Sequence, residues 1–205
     1  MTFLQLIKNI EKRIKYEGPE IRYRIKNFIN DAILEFMSIR NWQELIEVAA
    51  LITDGSDSYT IASIIGDDYY YGPIDLIRDG KNDTLNTFRR VKYQYYLRAN
   101  EKAGLWAIHN DTIYYGGNGE ELSFFYLTPG ELYPLEDDND TNIVLNKYVD
   151  IIEQYAIVKF HIWEGDNESA SYENSVLNNK ITLRKKKEFR DDKGGKLSKV
   201  GYGNR

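Results

Sequence analysis

Hydrophobic positions recur with a helical period at both ends of the chain and with a strand-like period in the middle. Phe3, Ile7, Ile10 and Ile14 fall three or four residues apart among lysines and Glu11, which predicts a short amphipathic helix over about residues 2–15. Gly18-Pro19 interrupts it. Pro19 suits the first turn of a second helix over about 20–41, whose apolar positions are Ile21, Ile25, Phe28, Ala32 and Phe36. From Trp42 the period shortens. Residues 48–52 and 59–61, separated by Thr53-Asp54-Gly55-Ser56-Asp57, predict a strand, a turn and a strand. Further β-branched and aromatic runs follow at 69–71, 91–97, 105–108, 113–115 and 122–127, punctuated by Asp79-Gly80-Lys81-Asn82, Asn110-Asp111, Gly116-Gly117-Asn118-Gly119 and Thr128-Pro129-Gly130. The helical period returns over about 145–163 with Leu145, Val149, Ile152, Ala156, Phe160 and Trp163. Residues 168–190 carry a thinner stripe, Tyr172, Val176 and Leu183, that suits a fourth helix, and beyond Arg190 glycines and lysines predict a mobile tail.

The expected fold class is therefore α+β: a helical bundle from the N- and C-terminal helices, an antiparallel β insertion over about 45–135, and an extended basic C-terminal tail. Residues 1–165 form the expected main domain and residues 166–205 an extension from it.

Charge sharpens this division. Residues 180–205 hold ten Lys/Arg against three Asp/Glu, a net +7, whereas the preceding 179 residues hold 17 against 29, a net −12. An acidic body argues against gripping nucleic acid over the main surface, because phosphate binding requires clustered cations. The absence of cysteine excludes disulfides, thiolate metal sites and cysteine nucleophiles. No segment approaches the roughly 18 apolar residues of a membrane span, and no charged leader precedes an apolar stretch, so the expectation is a protein that stays where it is made and meets no membrane. The 17 tyrosines are unusual for 205 residues. Tyrosine combines an apolar face with a polar tip and is enriched at protein interfaces, although strand positions also favour it.

Candidate chemistry is sparse. Asp138, Asp140 and Asn142 alternate like the ligands of a calcium loop, but Ile143 occupies the position of the turn glycine and Val149 that of the bidentate glutamate. A solvated acidic loop ahead of a helix is the plainer reading. His109 and His161 are the only histidines and no Gly-x-Ser-x-Gly turn exists, which leaves a Ser-His-Asp hydrolase little support; His161 beside the apolar stripe suits packing or an interface. Glu44, Glu47 and Asp54 are nominal carboxylates for glycoside cleavage, in a chain too rich in acids for any pair to stand out. Gly116-Gly117-Asn118-Gly119 and Gly194-Gly195-Lys196 lack the flanking elements of a phosphate cradle, and the former predicts a hairpin turn. No metal, cofactor or catalytic residue is expected.

Several features in order resemble one family. The opening Thr2-Phe3-Leu4-Gln5-Leu6, the helix containing Phe28-Ile29-Asn30-Asp31-Ala32, and Asn41-Trp42-Gln43-Glu44-Leu45 are similar to the head-to-tail adaptor (connector) proteins of short-tailed bacteriophages. So are the later features: a hairpin like Thr53-Asp54-Gly55 to Tyr59-Thr60-Ile61, a β insertion, a strand like 122–127, an Asp-rich turn and a helix like 148–163. The resemblance spans roughly residues 1–165. Residues 60–63 and 140–145 depart from it in lacking prolines that the family usually carries.

The resemblance implies a non-enzymatic virion protein at the head-tail junction, assembled in the host cytoplasm. Copies form a homo-oligomeric ring, commonly of twelve, below the portal protein. The ring continues the channel for genome packaging and DNA ejection, passes double-stranded DNA without reading its sequence, and offers a docking surface to a downstream nozzle or tail-hub protein. The family's C-terminal extension often grips the portal, which would assign Arg184, Lys185, Lys186, Lys187, Phe189, Arg190 and Tyr202 to portal docking. The same basic run also admits DNA contact or a merely solvated end. Tyr69, Tyr70, Tyr71, Tyr95 and Tyr96 are candidates for an inter-subunit or tail interface, against ordinary strand alternation. Two rivals from other classes are a tail-borne cell-wall-degrading enzyme and a basic-tailed nucleic-acid-binding assembly factor.

Overall fold

A computed structural model describes residues 1–66, 70–78, 86–102, 104–116, 121–130 and 132–194, with every side chain among them except those at 77, 78, 86, 87 and 189–194. The described residues form an α+β fold of six helices and two sheets, about 54% helix and 20% strand. That helix content exceeds what the three strongly periodic segments supply, and the surplus comes mostly from the C-terminal end. The chain divides into two compact units: Met1–Phe3 with Ile33–Lys147, and Leu4–Ala32 with the chain from Tyr148.

The helices appear where the three-four spacing placed them. Helix α1 covers Phe3–Ile14 and buries Phe3, Ile7, Ile10 and Ile14. Lys15, at φ 61°, ends it, its N–H donating to Glu11 O at 2.9 Å. Helix α2 covers Pro19–Ser38, opening on the proline and stopping three residues before Asn41. Its buried stripe is Ile25, Ile29, Ala32, Ile33 and Phe36, one position round from the expected one, so Ile21 and Phe28 are only half-buried.

A single 3₁₀ turn at Gln43–Leu45 leads into the first unit's strands: β1 Ile46–Ile52, β2 Ser58–Thr60, helix α3 Ile61–Ile65, β3 Gly72–Arg78, β4 Asn86–Thr87, β5 Arg89–Arg90, helix α4 Tyr93–Arg98, β6 Leu105–His109, β7 Thr112–Tyr115 and β8 Glu121–Leu127. One sheet has the order β1-β8-β3-β4 and the other β2-β7-β6-β5. Of their ladders, only the short β5–β6 bridge is parallel. Both sheets feed one apolar cluster. Leu122, Phe124 and Tyr126 enter it from β8, Leu51 from β1 and Leu76 from β3, while Trp106, Ile113 and Tyr115 enter from β6 and β7. Period-2 alternation on β8 and β7 is the cause, each second side chain turning inward. The β6–β7 hairpin turns on Asn110-Asp111, both at positive φ (47° and 53°), the geometry that a two-residue loop between twisted strands demands.

Three expectations fail here. Residues 48–52 and 59–61 are not two arms of a hairpin: β1 pairs with β8 and β2 with β7, in different sheets, so the break at 53–57 moves the chain between sheets. Gly116 does not open a β7–β8 hairpin for the same reason; residues 117–120 lie outside the described set. Residues 91–97 contain a helix, α4, instead of a strand. Their aromatic content favours strands, but a helix puts Tyr93 and Tyr96, three apart, against one neighbour, Tyr114, at centroid distances of 4.6 and 6.2 Å.

Helix α5 spans Ile143–Glu164 with a kink at Tyr148 (φ −130°, ψ 20°), the residue at which the second unit resumes, and helix α6 spans Asn167–Gly194 within that unit. Buried Asn142 caps α5, its Oδ1 accepting the Leu145 N–H at 2.9 Å. Gly165, at φ 79°, closes α5, and Asp166 caps α6 by accepting the Ser169 N–H at 3.0 Å. Helix α6 covers the thin stripe at 168–190 and continues four residues past Arg190; the rest of the expected mobile tail, residues 195–205, lies outside the described set. Tyr172 and Leu183 are 69% and 66% exposed; the buried apolar residues are Ala170, Leu177 and Ile181.

Candidate functional site

The basic run rides on the last third of α6, and the helix sorts its cations by direction. Lys186 and Lys187 are exposed. Arg184 turns inward, its guanidinium 4.6 Å from the centre of the Tyr148 ring and its Nε 4.0 Å from Glu188 Oε1. The Tyr148 hydroxyl donates to the same Glu188 oxygen at 3.0 Å. One turn earlier, Lys180 Nζ donates to Asp150 O at 2.9 Å and to Gln154 Oε1 at 3.3 Å. Arg184 and Lys180 thus bind α6 to α5, and the outward charge at this turn falls to Lys186 and Lys187. Phe189 and Arg190 continue the helix with side chains outside the described set, and Tyr202 lies beyond it.

The polar anchoring extends to α1, through residues that the sequence pattern does not single out. Arg13 donates to Glu153 at 2.9 Å, to Glu173 at 3.3 Å and to Gln154 at 3.3 Å, while the Gln154 amide donates to the Glu173 carbonyl at 3.2 Å and also to its carboxylate. Gln154 is fully buried. A lone glutamine inside an apolar helix is the only hint that the sequence offers of this layer.

The tyrosine candidates separate. Tyr69 lies outside the described residues. Tyr70 and Tyr71 precede β3; the Tyr71 N–H donates to Leu127 O at 2.9 Å, extending the ladder, and Tyr70 sits 6.3 Å from the Phe124 ring centre. Burial pushes the Tyr70 phenol pKa well up. On α4, Tyr95 is 57% exposed and Tyr96 1% exposed. Burial, then the nearby Asp57 charge, pushes the Tyr96 phenol up to about 12. Of the four tyrosines described, Tyr95 alone is fully available to a partner; Tyr96 is a core residue.

The acid, base and metal candidates resolve into local structure. Asp140 Oδ2 accepts the N–H groups of Glu136 and Asp137, each at 2.8 Å, and so pins its own loop. No cluster of three or more His, Cys, Asp or Glu that could hold a metal occurs among the described residues. Asp54 accepts from the Ser56 N–H and the Tyr59 hydroxyl, and the Ser56 hydrogen bonds hold its carboxyl below the usual range. Glu44 lies 3.9 Å from Lys147, and Glu47 is exposed on β1. His109 stacks on Tyr93 at 4.4 Å; His161, half-buried against Phe160, has Nδ1 3.8 Å from Asp166. A shallow groove of about 490 Å³ is lined by Arg90, Val91, Lys92, Tyr93 and Ile108, none of them a carboxylate. Among the described residues no helix is long and apolar enough to cross a membrane.

Neither a protein-family model nor a curated protein matches this sequence.

Proposed function

We propose that this chain is the ring-forming head-to-tail adaptor of a short-tailed bacteriophage. The observation that carries the reading is the ordered set of motifs from Thr2-Phe3-Leu4-Gln5-Leu6 through Trp42 to the C-terminal helix, which resembles that family along residues 1–165. In this reading the N- and C-terminal helices are the bundle that builds the ring, the β region is its insertion, and the C-terminal extension is a docking arm. Copies associate head to tail, each presenting different faces to its two neighbours, and the rotation closes, commonly at twelve. The role is structural and not enzymatic: the ring sits below the portal at the virion's head-tail junction, having assembled in the host cytoplasm. It receives a nozzle or tail-hub protein and conducts double-stranded DNA without reading sequence. A net −12 over the first 179 residues suits a conduit, since a lumen of like charge lets the duplex slide.

Portal docking falls to Lys186 and Lys187 with Phe189, Arg190 and Tyr202 beyond them. Arg184, which faces Glu188 and Tyr148, serves the helix, and Lys185 is half-buried beside it. Tyr95 is the tyrosine that best suits a tail or inter-subunit contact.

Native mass spectrometry of the protein alone and mixed with the cognate portal ring tests the reading. A ring that forms on the portal with matching stoichiometry is expected; no association returns the wall-degrading enzyme and the nucleic-acid-binding factor to the front. Reversing Lys186 and Lys187 to Glu tests the arm without removing the buried Ile181 and Glu188, which a deletion from residue 180 would take away. Undiminished portal binding by that double variant would remove these lysines from the docking assignment.

A further inference from the structure

Strand β1 ends its sheet, paired with β8 on one side and with no described strand on the other. It is seven residues long, Ile46-Glu47-Val48-Ala49-Ala50-Leu51-Ile52, and Glu47 is its one charged residue; it has no lysine, no proline and no bulge against β8 to blunt the edge. The adjoining Thr128 N–H donates to Leu45 O at 3.1 Å, so residues 45 and 128 form a hydrogen-bonded pair. Antiparallel pairs alternate, and the N–H and C=O groups of Val48, Ala50 and Ile52 therefore point away from β8. The side chains of the same residues are exposed, Val48 at 53% and Ile52 at 73%, while Leu51 faces the core. Helix α3 touches β1, yet leaves these three positions open. The strand thus offers a row of outward backbone groups flanked by an apolar face.

Its surroundings are acidic. Residues 41–60 contain four Asp/Glu and no Lys or Arg; Glu44 and Asp57 lie 3.9 Å from Lys147 and 3.8 Å from Lys102, and Glu121 stands opposite Ile52 in the ladder. Glu47 and Glu121 are both exposed.

We propose that the open edge of β1 is a strand-addition site that takes an extended, basic segment of another protein, with apolar side chains at alternate positions and Lys or Arg between them. The incoming backbone hydrogen-bonds to Val48, Ala50 and Ile52, its alternate apolar side chains cover Val48 and Ile52, and its cations, on the opposite face, meet Glu47. The site is independent of the adaptor reading and of the basic arm on α6.

The probe is a synthetic peptide alternating Lys or Thr with Val, titrated into the full chain by fluorescence anisotropy, beside a control with Glu for Lys and a second with Pro for the central Val. Ala50→Pro removes one outward N–H while leaving the β1–β8 ladder whole, because that N–H takes no part in it. Val48→Lys leaves the backbone untouched, adds a cation to the edge, and serves if Ala50→Pro fails to fold. Binding of the lysine peptide, weakened about tenfold or more by either variant and by either control peptide, is the expected result. Equal affinity in wild type and variants overturns the proposal, as does no binding at roughly millimolar peptide. Concentration-dependent self-association that Val48→Lys abolishes would make a second copy the occupant and overturn the assignment to a foreign strand.

Discussion

The β unit and the long helix α6 of the helical unit are held by different physics. In the β unit two sheets bury a continuous apolar cluster of large side chains, among them Trp106, Phe124, Tyr115 and Tyr126, and strand alternation delivers each of them. In the helical unit, α6 has 28 residues, and among its described side chains only Ala170, Leu177 and Ile181 are buried and apolar. Its remaining grip is directional: Glu173 on Arg13 and Gln154, Lys180 on Asp150 and Gln154, Glu188 on Tyr148. Area burial is tolerant of exact geometry and leaves a periodic trace in the sequence. A polar layer requires each partner in place and leaves almost none.

That contrast breaks first at the β core. Phe124→Ala should cost about 3–5 kcal/mol by urea denaturation, the lost transfer energy plus the cavity. A cost below about 1 kcal/mol would mean that the cluster collapses around the gap and is not what holds the sheets. Gln154→Ala, which leaves the Arg13–Glu173 layer short of a buried partner, should cost about 1–3 kcal/mol. It should act locally, raising amide hydrogen exchange along α6 while leaving β8 protected. Equal exchange in both units would show that they melt together.

Smaller again is the cap. Ser169 holds the Asp166 carboxyl below the usual range by donating side-chain and backbone hydrogen bonds to it, with His161 adding to the effect. A carboxyl depressed on folding stabilises fully above its unfolded pKa, near 3.8, and that contribution is lost as pH falls through the lowered folded value. Protection factors in the first turn of α6, corrected for the intrinsic exchange rate, should therefore fall as the pH drops below about 4 and stay nearly flat in Asp166→Asn, which keeps an acceptor and loses the charge. Leu183→Ser closes the series with an expected change within about 0.5 kcal/mol, since that side chain is exposed. A large loss would restore Leu183 to the apolar stripe that the sequence pattern predicts.

How legible each element was follows from the same contrast. Helices α1, α2 and α5, and strands β6, β7 and β8, are visible in the spacing of Ile7 and Ile10, of Ile25 and Phe36, and of Leu122 and Phe124, because each buries one face against a large apolar surface. Tyr93 and Tyr96 misled, since their β preference is weaker than the gain from packing both rings on Tyr114. Of the docking candidates, Lys186 and Lys187 lie exposed where the charge run suggested, whereas Arg184 and Tyr96 are drawn inward by neighbours more than ten residues away.

The sequence alone determined which segments are helical or extended wherever a period was strong, the acidic body with its basic end, the lack of thiol chemistry, and the motif order on which the adaptor reading stands. These are local or compositional properties, fixed by neighbours within a few residues. The tertiary structure decided that β1 and β2 enter different sheets, that α6 is a long helix anchored through Arg13, Gln154 and Tyr148, and that β1 presents an open edge. Each depends on partners distant along the chain, and pairing free energy between such partners has no signature in either segment read by itself.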